Sequence, residues 1–203
     1  MKPLSEISKP DDRQDLFNTT LEEIHEELRG VTMNPQVPAP VRELFETAKN
    51  LSLHSWFVYE FHPIAELTGF LALEQALRAR AKREGPTLAK KNLRTIMNHA
   101  IDTGWFTEEG FEGRQEIATA RVRDRKALEA IERMNQSGVD SEPVEEPTED
   151  EVLSEAKDMK IVKSVCDSAV SLRNSLAHGN NYLMPHSHRR LHMTANLINQ
   201  LFS

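Results

Sequence analysis

From Val41 onward the apolar residues of this chain recur every three to four positions with few breaks, and that spacing restricts its fold more than any other feature. Val41, Leu44, Phe45, Ala48, Leu51 and His54 form one stripe; Ile64, Leu67, Leu71, Glu74, Arg78 and Ala81 form the next, with Phe70 and Leu77 on its flank. The spacing gathers side chains on one face of an α-helix and does not fit the two-residue alternation of a strand. No convincing strand, hairpin or internal repeat interrupts it, so the expected fold class is all-α.

The punctuation supports the same expectation. Thr87 is placed to cap a third helix carrying Leu88, Leu93, Ile96, Met97, Ala100 and Ile101, which Gly104 ends. Thr107, Glu108 and Glu109 open a fourth, highly charged helix to about Met134, with a thin apolar face of Ile117, Ala120, Leu128 and Ile131. Residues 135–148 combine turn formers, prolines and like charges and read as a mobile acidic linker. A helix over residues 149–178 follows, then a loop from Gly179 to Pro185 and a last helix from His186 to Phe202. Residues 1–37 read as an appendage with one candidate helix, Asp12 to Arg29, followed by Gly30 and a proline-rich passage. The bundle itself is expected over residues 38–203.

A chain of 203 residues can bury a sufficient core without metals or disulfides, so no cofactor is expected. The single cysteine, Cys166, falls on an apolar stripe and excludes an intramolecular disulfide framework. No apolar run approaches membrane-spanning length, and the charged, proline-broken start Met-Lys-Pro-Leu-Ser-Glu does not fit a signal peptide. A soluble cytoplasmic protein with no membrane partner is therefore the expectation. The net charge of −7 argues against indiscriminate binding of nucleic acid, which depends on lysine and arginine. Seven of the 32 acidic residues lie between Asp140 and Glu151, however, and the rest of the chain is balanced. Basic clusters at Arg78–Arg83, Lys90–Arg94, Arg121–Lys126 and Arg189–Arg190 read as solvated helix faces, with an RNA track as the alternative.

The chemically suggestive stretch is Ser171-Leu172-Arg173-Asn174-Ser175-Leu176-Ala177-His178-Gly179. Upstream, Val162, Val165, Cys166 and Ala169 mark a buried stripe that continues to Leu176. Arg173 lies within about 20° of Val162 on an ideal helix, so its guanidinium either pairs with a buried carboxylate or opens onto a groove that needs a positive charge. Gly179 suits the left-handed position past a helix end and leaves His178 as the cap. Asn174 shares a helix side with His178 and can orient one ring nitrogen. Glu74, set among apolar neighbours like Arg173, is a natural buried partner for it. Spacing alone equally allows a structural ion pair followed by an ordinary helix terminus.

Two other clusters carry weaker signals. His188 and His192 are one turn apart, but no acidic residue or cysteine follows Asp167, and Arg189 and Arg190 would repel a cation, so no metal site is expected. Trp56, Phe57, Tyr59 and Phe61 suit core packing at a helix junction, with base stacking as the alternative.

Arg173-Asn174-x-x-x-His178, within Leu-Arg-Asn-Ser-Leu-Ala-His-Gly, resembles the signature of the HEPN superfamily. The likeness extends loosely to Phe61–Arg83 and to the closing helix after Asn181. The resemblance implies an up-and-down helical bundle that dimerises and, in many members, a metal-independent endoribonuclease; other members only bind. A toxin subgroup carries a tyrosine two residues after the histidine, where this chain has Asn180; its tyrosine is Tyr182. On this reading His178 is the general acid/base in attack of a 2′-hydroxyl on the adjacent phosphate, Arg173 stabilises charge on the phosphoryl oxygens, and Asn174 orients the histidine or contacts phosphate. RNA is the substrate, a second copy completes the site, and an antitoxin or inhibitor protein in phage defence or a toxin-antitoxin system is the implied context. The rival reading is a non-catalytic helical dimerisation module that binds protein or RNA.

Overall fold

The structure is a computed structural model that describes residues 2–17, 19–139, 141, 143–177 and 185–203, without the side chains of Arg173, Leu176 and Ala177. Its α-helices are α1 (Leu21–Gly30), α2 (Ala39–His54), α3 (Phe61–Glu84), α4 (Pro86–Ala89), α5 (Leu93–Asp102), α6 (Arg114–Ser137), α7 (Glu149–Asp158), α8 (Ile161–Ala177) and α9 (Ser187–Gln200). Two short 3-10 turns precede α1, and there is no strand among the described residues. The all-α expectation holds.

Several boundaries differ from the sequence pattern, each for a local reason. The stretch from Asp12 to Arg29 divides into a 3-10 turn and α1, because Thr20 forms a capping box with Glu23 and starts a new helix. Asn92, not Thr87, caps α5, its side chain accepting from the Thr95 N–H. The fourth charged helix begins at Arg114 after Gly113, which takes φ 77°. The stretch before His178 is two helices. Thr148 and Glu151 close a second capping box on α7, Met159 then turns extended, and α8 starts afresh at Ile161.

The chain divides into two compact units, Met1–Thr107 with Val162–Ser203, and Glu108–Ile161. In the first, α3 is the central element. It packs on α2, α5 and α9, while α1 covers α2 and α9. Its buried positions include Ala65, Glu66, Gly69, Phe70, Ala72, Leu73, Ala76, Leu77 and Ala81, where small residues admit close neighbours. Ile64 and Leu71, expected inside, are 44% and 41% exposed. Phe45, Ile96, Leu191, Leu197, Ile198 and Phe202 fill the core around α3, and Leu28, Val31 and Val37 from the amino-terminal stretch are buried with them. The burial excludes water from a contiguous apolar surface, which is the main stabilising force here.

In the second unit α6 packs against α7 through Ala118, Val122 and Ala130, with Ala156 from α7. The expected face of Leu128 and Ile131 is instead exposed, because alanine-sized side chains let two helices approach more closely. Charges finish the pairing. Glu155 takes Arg121 and Arg125, Glu151 takes Lys126, and Glu146 takes Arg123.

Candidate functional site

Helix α8 places the backbone of Arg173 and Asn174 in its last two turns; position 173 is in register with Val162, Cys166 and Ala169, which are all buried, and position 174 lies about 100° further round the helix. Asn174 is exposed. The side chain of Arg173 and the whole of His178 lie outside the described residues, and so does any pairing of Arg173 with Glu74. Glu74 itself is half-buried and holds Arg78 at 2.7 Å, one turn along α3.

The opposite flank of α8 borders a cleft of about 320 Å³ between α3, α8 and α9. Ser168, Ser171, Leu172 and Ser175 line it from α8, Glu66 and Phe70 from α3, and Arg190 from α9. Ser168, Ser171 and Ser175 recur at three-to-four-residue intervals, with Leu172 beside them, and so share one face of the helix. Glu66 is only 3% exposed, and its Oε1 accepts from Arg190 Nη1. Burial pushes the Glu66 carboxyl above the ordinary carboxylate range, while the Arg190 guanidinium pulls it back toward the charged form. A buried carboxyl with a shifted pKa, held by a cation in a cleft with polar and apolar walls, has the character of a binding site.

Sequence reasoning did not single out Glu66 and read Arg190 only as part of a basic cluster with Arg189. The signal was there in Glu66, Gly69, Phe70, Leu73 and Leu77, whose spacing is as helical as that of the stripe through Glu74.

A second polar cluster lies where the start of α9 meets α2 and α3. His62 Nδ1 is 2.8 Å from Ser187 Oγ, which is 2.7 Å from Ser52 Oγ. Ser187 and Ser52 are fully buried, so this serine–histidine pair has no path to a substrate and acts as internal hydrogen bonding. His188 is 3% exposed, with Nε2 3.3 Å from Glu27 Oε2, and neither ring nitrogen has a well-aligned hydrogen-bond partner. Desolvation, reinforced by nearby cationic groups, depresses His62 and His188 to about 4, so both rings are neutral at pH 7. His192, four residues on, is exposed, and among the described residues no group of three His, Cys, Asp or Glu is placed to hold a metal.

Of the four aromatic residues at the junction only Tyr59 packs as core; Trp56, Phe57 and Phe61 are partly exposed. Tyr59 is buried, stacks on Phe17, meets His62 edge-on and carries the Arg13 guanidinium 4.2 Å from its ring centre. Many basic residues are also engaged. Arg80 lies over Trp105, Arg83 over Phe202, and Arg94 faces Asp167 on α8 at 3.5 Å. Among the described residues no helix is long and apolar enough to cross a membrane.

No protein-family model matches the chain, and neither a curated protein nor a solved structure shows significant similarity to it.

Proposed function

We propose that the protein is a HEPN-type, metal-independent endoribonuclease acting as a homodimer. The observation that carries the proposal is the Arg173-Asn174-x-x-x-His178 motif at the carboxyl end of α8, a helix whose other flank borders a cleft with a buried carboxylate.

The chemistry follows from the residue types. His178 takes the proton of a 2′-hydroxyl as its oxygen bonds to the adjacent phosphorus, and the P–O5′ bond breaks as that oxygen is protonated. A 2′,3′-cyclic phosphate and a 5′-hydroxyl result. Arg173 places parallel N–H donors on the phosphoryl oxygens, which gain charge in the transition state. Base and acid act at opposite ends of one displacement, so a second histidine is needed. A twofold-related copy supplies it.

The deciding measurement is cleavage of a labelled RNA by the purified protein, with His178→Ala and Arg173→Ala variants alongside. Wild type cleaves and both variants lose at least 100-fold in rate, within the range expected for loss of an acid/base group or a transition-state donor. Equal cleavage by wild type and His178→Ala overturns the assignment, and absence of cleavage in all three transfers it to the binding-module reading.

A further inference from the structure

We propose that the cleft between α3, α8 and α9 is a nucleobase subsite that selects guanine, with Glu66 as the residue that reads the base. Its consequence for RNA cleavage rests on the ribonuclease reading; the binding itself does not.

Glu66 restricts the ligand most. An ionised carboxylate only accepts hydrogen bonds and offers about four lone-pair positions. Arg190 occupies Oε1 and holds the group in place, while Oε2 has no hydrogen-bond partner among the described residues. A ligand that fits must therefore present N–H donors to a nearly buried acceptor. Guanine carries two adjacent ones, N1–H and the N2 amine. Adenine and cytosine set a bare ring-nitrogen acceptor beside their amine, and uracil flanks its single N–H with two carbonyls. Each would bring a lone pair against the carboxylate, and an unmatched buried polar group costs free energy.

The serines of α8 supply the complementary half. Thr47, Thr68 and Thr194, on other helices, and Thr103, just after α5, close their hydroxyls onto the carbonyl four residues back. Ser168, Ser171 and Ser175 make no such bond, and none of the three has a hydrogen-bond partner among the described residues. All three line the cleft, and a serine hydroxyl can donate to O6 and N7 or meet ribose hydroxyls. Phe70 and Leu172 add apolar wall suited to a flat ring. The volume of about 320 Å³ is at the small end of ligand sites, right for one base rather than a longer segment.

The test is binding of the four nucleoside 3′-monophosphates to the full-length protein, followed by titration calorimetry or NMR shifts. Guanosine 3′-monophosphate binds at least tenfold more tightly than the other three. Glu66→Gln removes that preference, and Ser175→Ala, which leaves the Glu66–Arg190 pair intact, weakens guanosine 3′-monophosphate severalfold without unfolding the chain. Equal affinity for all four, no binding of any, or a preference unchanged in both variants overturns the subsite. RNA cleavage without preference for guanosine would overturn the subsite but leave the ribonuclease standing. Selective binding of guanosine 3′-monophosphate by a protein that cleaves no RNA would do the reverse.

Discussion

Gly69 on α3 approaches Leu191 on α9 so closely that a Cβ placed on residue 69 would lie 2.5 Å from Leu191 Cδ2. Leu191 is fully buried, so it has little room to retreat. The absent side chain at 69 is what lets α9 settle onto α3, and with it what brings Arg190 to Glu66. Replacing Gly69 by alanine improves helix propensity by about 1 kcal/mol, but overpacking a filled core costs about 1–3 kcal/mol. The expected result is a net loss of about 1 kcal/mol by urea denaturation. In the Gly69→Ala/Leu191→Ala double variant the two losses add to less than their sum, since the second change removes the clashing methyl. Strict additivity would show that the close approach is not the cause.

Arg190→Ala leaves the Glu66 carboxylate buried without its cation. Breaking a buried pair costs about 3–5 kcal/mol, and the partial exposure of Arg190 reduces this to about 2 kcal/mol. The loss depends on pH. Without the guanidinium, the Glu66 pKa rises further above its unfolded value, so the native state holds the proton more tightly and stability falls as pH rises through the folded pKa. Denaturation midpoints of the variant relative to wild type therefore drop more at pH 8 than at pH 5. A pH-independent difference would contradict this account of Glu66.

The buried histidines give the wild-type protein an acid sensitivity of their own. His62 and His188 titrate near 4 in the folded state, against 6.5 for the free side chain. The folded state binds fewer protons than the unfolded chain between those values, so stability is full above pH 6.5 and falls as pH drops toward 4. Each histidine accounts for about 3 kcal/mol at most, at 1.36 kcal/mol per unit. The window from pH 6.5 to 5 isolates them from most carboxylates. His188→Gln, which cannot gain that proton, flattens the thermal denaturation profile across this window. An equally steep profile in the variant would assign the sensitivity elsewhere.

The cleavage proposed for Arg173 and His178 would require no divalent ion. If that proposal is right, activity persists in excess EDTA, and the products carry a 2′,3′-cyclic phosphate or its 3′-phosphate hydrolysis product. A metal-activated water could instead leave 5′-phosphate ends. Chelator-sensitive cleavage with such ends would remove the proposed mechanism.

The all-helical class was legible in the sequence, because a 3.6-residue apolar repeat is a local property that needs no knowledge of neighbours. The proposed site residues Arg173, Asn174 and His178 come from the sequence alone, as a short local motif. The cleft was not legible in the sequence. Helix α3 carries apolar residues on several faces, so Glu66 and Glu74 sit on equally plausible stripes, and Ile64 and Leu71 look as interior as Leu73 and Leu77. Which stripe turned inward was decided by where α2 and α9 pack, aided by the missing side chain at Gly69. Likewise nothing local marks Val31 and Val37, in a proline-rich passage, as 4% and 1% exposed. Glu66 meets Arg190 across 124 positions of sequence, and only the packing of whole helices brings such residues together.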